Sequence, residues 1–185
     1  MIFVRKFDYV NLSRGEKKIA ESKNGRRLLR FAVKAEHGVN LEYREIKKGE
    51  YGKPFLEKYP DIQFSISHSG SLVAVMLSRF ECGVDIQKIK EVKQGVVRKI
   101  CNDDELRFIE NSTDKDRAFI TLWALKESYV KAIGKGLSFS LAKVNFRIDT
   151  ECGEITDIHC SQKGSFYVKN FEEYILAACT LDEVV

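Results

Sequence analysis

A chain of 185 residues, 44% hydrophobic and 31% charged, has an ordinary globular composition and can bury a substantial core as one domain or two small ones. Its 31 basic and 27 acidic residues leave a net charge of +4, too weak a balance for a nucleic-acid protein and better suited to an anionic ligand or an acidic protein partner. Five cysteines form neither a C-x-x-C nor a zinc-finger spacing, no apolar run approaches the roughly 20 residues of a membrane span, and the first residues lack the apolar segment of a signal peptide, so a cytoplasmic protein with reduced thiols is expected.

In chain order, residues 2–10 read as an apolar-rich first strand. Ser13 and Glu16 have capping-box spacing and start a helix; Asn24 or Gly25 opens a second, cationic one that Gly38 ends. Residues 41–48 are ambiguous between strand and short helix, and 51–61, which holds both prolines, reads as a loop. Three strands follow at 62–67, 72–78 and 83–87, the first two joined by a hairpin turn through 67–70. The lysine-rich stretch 88–93 is a linker, 94–101 a short helix, and Asn102 with Glu105 begins another. Thr113 with Asp116 starts a long helix that Gly134 stops; its Phe119, Leu122, Trp123, Val130 and Ile133 recur at the period of a core-facing stripe. The segments 144–149, 156–160, 165–171 and 174–181 read as an antiparallel meander. Helices followed by strands occur twice, which allows an α+β fold of two similar halves, 1–88 and 89–185, and a site in the cleft between them would be natural.

The segment 123–138, WALKESYVKAIGKGLS, is the most informative stretch. Glu127 and Lys131 are four residues apart and share a helix face, as in many solvated ion pairs. Asp85 interrupts the apolar strand GVDIQ, so it either faces solvent or meets a cation; Mg²⁺ is one such cation, with Glu127 as a second carboxylate. Lys53, between Gly52 and Pro54, is a turn lysine or a point charge held toward a phosphate. His68, flanked by Ser67 and Ser69, is structural or a donor to an anion. A Ser67–His68 nucleophile pair is disfavoured, because adjacent strand residues point to opposite faces. Together these groups suit pyrophosphate chemistry, and no Walker or G-x-G-x-x-G loop is present.

The ordered series YGKPFL, FSISHSG, GVDIQ and WALKESYVKAIGKGLS, over residues 51–138, resembles the 4′-phosphopantetheinyl transferase family. The likeness is to its larger, surfactin-synthetase-activator type with two similar halves, not to the short trimeric holo-acyl-carrier-protein synthase type. The resemblance implies an α+β pseudo-dimer that moves phosphopantetheine from coenzyme A to a serine of an acyl or peptidyl carrier protein and releases adenosine 3′,5′-bisphosphate. It implies Mg²⁺, or Mn²⁺, on Asp85 and Glu127, and Lys131, Lys53, Ser67 and His68 around the coenzyme's phosphates. Arg26 falls near the adenine end, and Lys17 or Arg14 at the 3′-phosphate. In the implied mechanism Glu127 accepts the serine proton and Lys131 serves the leaving bisphosphate. One departure stands out: Gln87 occupies a position where the family usually has an acid, and its amide oxygen is a weaker metal ligand. Two halves in one chain imply a monomer. The cations of 88–99 with Val96, Val97 and Ile100 form either a docking surface for an acidic carrier helix or an ordinary amphipathic segment. The alternative to an enzyme is a coenzyme A or carrier-binding module impaired at Gln87.

Overall fold

The computed structural model describes residues 1–8, 12–151 and 154–181. Residues 9 and 10, expected to end the first strand, and Cys152 lie outside the described residues. The chain begins with β1 (Ile2–Lys6), α1 (Arg14–His37), a ribbon of β2 (Ile46–Lys48) and β3 (Pro54–Leu56), and a hairpin of β4 (Gln63–Ser69) and β5 (Leu72–Ser78). It continues with β6 (Cys82–Lys88), two short helices α2 (Gln94–Ile100) and α3 (Asp103–Asn111), and the long α4 (Lys115–Ala132). A second ribbon of β7 (Phe146–Glu151) and β8 (Glu154–Cys160) and a second hairpin of β9 (Ser165–Phe171) and β10 (Tyr174–Thr180) complete it. Strand, long helix, ribbon and hairpin thus occur twice, and the two antiparallel sheets share one order, β1-β5-β4 and β6-β10-β9. This is a pseudo-two-fold α+β arrangement. Among the described residues no helix is long and apolar enough to cross a membrane.

Strict alternation along the central strands builds four layers. On β5, Val73, Val75 and Leu77 pack against Leu28, Leu29, Ala32 and Val33 of α1, while Ala74 and Met76 face the other sheet. On β10, Ile175, Ala177 and Cys179 face α4, and Leu176 and Ala178 meet Ala74 and Met76 between the sheets. Strands buried on both faces read as continuous apolar runs, which is why β5 and β10 are legible in the sequence.

Several expectations are corrected. Strand 82–88, placed by sequence in the N-terminal half, pairs with β10 along its whole length, from Cys82–Thr180 to Lys88–Tyr174. It cannot join β5, whose two edges are taken by β1 and β4. Helix α1 is continuous through Gly25, which serves close packing and not a break: a Cβ there would lie 2.9 Å from Cγ2 of Ile66 on β4. The expected loop 51–61 contains β3, with Pro54 at its first position, where no ladder hydrogen bond is lost. Residues 41–48 resolve into a 3₁₀ turn at Tyr43–Glu45 followed by β2. Asp114, one residue beyond Thr113, caps α4 by accepting from the Arg117 N–H at 2.9 Å. The expected meander divides: β7 and β8 form their own ribbon, and β9–β10 joins β6.

The sheets also meet along one edge. On β4, Ser65, Ser67 and Ser69 share a face, and their hydroxyls accept from the N–H groups of Val84, Ile86 and Lys88 at 3.0, 3.2 and 2.9 Å. Hydroxyls here take the place of a backbone ladder. On the opposite side β1 and β9 flank an apolar cavity of about 490 Å³ lined by Ile2, Val4, Met76, Phe171 and Leu176.

Candidate active site

Cys82, Val84 and Ile86 of β6 point between the sheets, so Gly83, Asp85 and Gln87 fall on the face toward α4. Gly83 is what lets α4 sit directly on this strand. A Cβ at Gly83 would lie 1.9 Å from the Ser128 carbonyl oxygen and 2.6 Å from the Ala132 nitrogen. Glu127 and Lys131, one helical turn apart and each just before one of these two contact residues, are thereby brought close to Asp85.

Asp85 is only 2% exposed, and both its oxygens are engaged. Oδ1 accepts from the Ser67 hydroxyl at 2.8 Å and from Lys131 Nζ at 2.6 Å; Oδ2 accepts from Gln87 Nε2 at 2.8 Å. Lys131 Nζ also donates to Ser67 Oγ at 2.9 Å and to the Val84 carbonyl at 3.1 Å. Ser67 is therefore the hub, tied at once to β6, to Asp85 and to Lys131. Burial pushes the Glu127 carboxyl above its usual range, the charge of Asp85 raises it further, and Lys131 offsets part of the rise.

The other expected residues sit around this centre. Lys53 donates to the Glu81 carboxylate and, at 2.7 Å, to the Ala132 carbonyl at the end of α4. It shares with Lys131 a small cavity of about 220 Å³ that Tyr51, Ser65 and Gly136 also line. His68 projects from β4 on the face opposite Ser67, 42% exposed, with Nδ1 at 3.3 Å from Glu21 Oε2 of α1. The structure thus separates His68 from Asp85. Arg26 is exposed on α1 and lines a cavity of about 520 Å³ with Lys18, Lys23 and Tyr43; Lys17 lies outside that wall. Of the expected docking residues, Val96 is exposed, whereas Val97 and Ile100 pack against the C-terminal core, and Lys88 pairs with Glu173 at 3.2 Å.

Two features escaped the sequence reading. Lys126, next to Glu127, is fully buried and faces away from the site. Its Nζ donates to Glu105 Oε2 at 2.8 Å and to the carbonyls of Ile100 and Val144 at 2.9 and 2.7 Å. Glu105 in turn caps Asn102 N and accepts from Phe146 N, so this ion pair joins α2, α3 and β7 to α4. The signal was present, since Lys126 stands midway between Leu122 and Val130 on the apolar stripe. The serine seam had one too, in the alternation of FSISHS.

Residues 81–179, from the start of β6 almost to the end of β10, match the family model described as the 4′-phosphopantetheinyl transferase superfamily. Over 93 residues the chain is 38% identical to the 4′-phosphopantetheinyl transferase gsp of Aneurinibacillus migulanus, a match covering 49% of this chain and 38% of that one. Over 158 residues it is 29% identical to the 4′-phosphopantetheinyl transferase Sfp of Bacillus subtilis strain 168, covering 82% of this chain and 70% of that one. Among solved structures, the holo-[acyl-carrier-protein] synthase of Neisseria meningitidis is 18% identical with a TM-score of 0.46, over 56% of this chain and 98% of that one. The family match takes in more than half of the chain and spans Asp85, Glu127 and Lys131, and on that ground the chain belongs to the 4′-phosphopantetheinyl transferase superfamily.

Proposed function

We propose that the chain transfers the 4′-phosphopantetheine arm of coenzyme A to a serine of an acyl or peptidyl carrier protein, releasing adenosine 3′,5′-bisphosphate, with Mg²⁺ or Mn²⁺ as its metal. The observation that carries this reading is the ion pair of the buried Asp85 with Lys131, near Glu127, within the segment shared with the superfamily.

The donor set fits a hard divalent cation. Asp85 offers carboxylate oxygens, Glu127 a carboxyl whose charge is penalised by burial and by Asp85, and Gln87 a carbonyl oxygen once its amide turns over. A metal bound there supplies neutralisation of the charge that builds on the phosphoryl oxygens. Glu127 takes the proton of the carrier's serine hydroxyl as that oxygen attacks the phosphorus bearing the pantetheine arm. Lys131 donates to the departing bisphosphate. Lys53 adds a point charge across the cavity it shares with Lys131, and Ser67 orients both Lys131 and Asp85. Arg26, with Lys18 and Lys23, forms a cationic wall for the nucleotide end, while His68, beside Glu21, and Lys17 or Arg14 stand outside that wall and are assigned to the coenzyme's phosphates.

The carrier is recognised by an acidic helix, steered by Lys90, Lys93, Arg98 and Lys99 and packed on the exposed Val96. The chain acts as a cytoplasmic monomer, without nucleic acid or membrane. A second reading, a coenzyme A or carrier-binding module without turnover, is favoured by one observation: Gln87 already satisfies Asp85 through its amide N–H. Incubation with coenzyme A, Mg²⁺ and an apo carrier protein decides between them. Transfer gives the carrier the mass of a phosphopantetheine, and omitting Mg²⁺ abolishes the gain. Coenzyme A binding without mass gain supports the module, and neither result sinks both readings.

A further inference from the structure

The ammonium of Lys131 has three protons and spends all three, on Ser67 Oγ at 2.9 Å, the Val84 carbonyl at 3.1 Å and Asp85 Oδ1 at 2.6 Å. In this arrangement it has no donor left for a phosphate. Asp85 is equally occupied, with Ser67 and Lys131 on one oxygen and Gln87 on the other. At 2% exposure a polar side chain needs such partners to offset its burial. Yet one ammonium cannot balance both Asp85 and Glu127, whereas a divalent cation can.

We propose that Lys131 is the resident cation of the metal site: it holds Asp85 in the metal-free protein, yields the carboxylate to a divalent cation, and only then is free to donate to a substrate phosphate. The identity of that phosphate rests on the function proposed above; the exchange on Asp85 does not. The local structure suits a side chain that changes places. Lys131 is 29% exposed on the last turn of α4, ahead of Gly134 and Gly136 with φ of 68° and 52°. Its alternative destination is adjacent, in the cavity it shares with Lys53. Gln87 must turn with it, since its nitrogen and not its oxygen now faces Asp85.

The test compares Mn²⁺ affinity, read by electron paramagnetic resonance of free Mn²⁺, with the thermal midpoint in the presence and absence of Mn²⁺. Lys131→Met should bind Mn²⁺ about tenfold or more tighter, because the metal no longer breaks a charge-assisted hydrogen bond. Its metal-free midpoint should fall, and the rise on adding Mn²⁺ should exceed that of the unmodified chain. Lys135→Met removes a neighbouring charge that stacks on Tyr51, and should change affinity by no more than about twofold. Unchanged or weaker Mn²⁺ binding in Lys131→Met overturns the proposal, and so does an equal gain in Lys135→Met, which would mark a general field effect. Should Lys131→Met fail to fold, Lys131→Gln keeps hydrogen-bond donors without the charge and is held to the same outcomes. Carrier modification is assayed in parallel. If the unmodified chain transfers nothing but the affinities follow this pattern, the functional reading fails and the exchange stands; transfer with the affinities reversed means the opposite.

Discussion

Replacing Lys126 with Met removes a charge that no solvent can replace. Both Lys126 and Glu105 have side chains 0% exposed, and their carboxylate–ammonium contact is 2.8 Å. Methionine conserves most of the volume, so the packing change alone should cost under about 1.5 kcal/mol. The larger cost is what remains: an ionised Glu105 with only Asn102 N, Phe146 N and Glu105's own helix to face it, and carbonyls of Ile100 and Val144 without their donor. Breaking one side of a buried pair typically costs about 3–5 kcal/mol. At about 2–4 °C per kcal/mol for a chain of this size, the midpoint should fall by about 6–20 °C. Circular dichroism melts of the two proteins at neutral pH measure this directly. Glu105→Gln on top of Lys126→Met removes the orphaned charge and should recover part of the loss, a coupling of at least about 1 kcal/mol. Well below the melting range, Mn²⁺ affinity should remain within about twofold, because Lys126 faces away from Asp85. A midpoint change below about 3 °C, or no recovery in the double variant, would refute the assignment of Lys126 and Glu105 as the clamp on α4.

Other expectations concern the site and its supports. Glu127→Gln should lower carrier modification by about 10²–10⁴-fold, measured as the initial rate of mass gain. Because Glu127's carboxyl is raised on folding by burial and by Asp85, its ionisation costs stability as pH climbs through the folded value, and that cost is absent below the ordinary carboxylate range. Metal-free Glu127→Gln should therefore melt above the unmodified chain at mildly alkaline pH, with the gap closing in acid; a gap that widens in acid contradicts this. Gly83→Ala forces a methyl against the backbone of α4, which cannot rotate aside, and should destabilise by about 3 kcal/mol or more while loosening Mn²⁺ binding. Burial pushes the Cys82 and Cys101 thiols up to about 11, so both should react slowly with disulfide reagents in the native state near pH 8. The same shifts hold stability below the usual thiol range and withdraw it as pH rises toward about 11, and Cys82→Ala should flatten that alkaline loss in denaturant titrations.

Local chemistry was readable in the sequence. The capping boxes at Ser13–Glu16 and Asn102–Glu105 are hydrogen bonds between near neighbours, and both form as their spacing implies. Asp85 and Gln87 are marked by their place in an apolar strand, Ser67 by its neighbour His68 and Lys131 by its spacing from Glu127, and the structure gathers Asp85, Ser67, Gln87 and Lys131 within hydrogen-bond reach. What stayed hidden depends on distant segments. Gly25 looks like a helix start until β4 presses on it, and β6 looks like the continuation of β5 until the edges of β5 prove to be filled. Lys126 and Glu127 are adjacent letters in one motif, yet their roughly 100° separation around the helix sends one to the core and the other to the site. His68 went the other way: its neighbour Ser67 meets Asp85, and strand alternation turns the imidazole toward Glu21.

The serine seam has a consequence for how such a protein can vary. A backbone ladder between two strands draws its donors and acceptors from groups that every residue but proline carries. Along this edge the joint between the sheets is written in three hydroxyls, and the N–H groups they satisfy belong to Val84, Ile86 and Lys88 on the other side. A hybrid that takes one half from a relative without serines at these positions would leave those amides unpaired. Ser67 binds the constraint tighter still, because the same oxygen that fastens β4 to β6 also touches Asp85 and Lys131. A substitution at Ser67 therefore disturbs the joint and the site together.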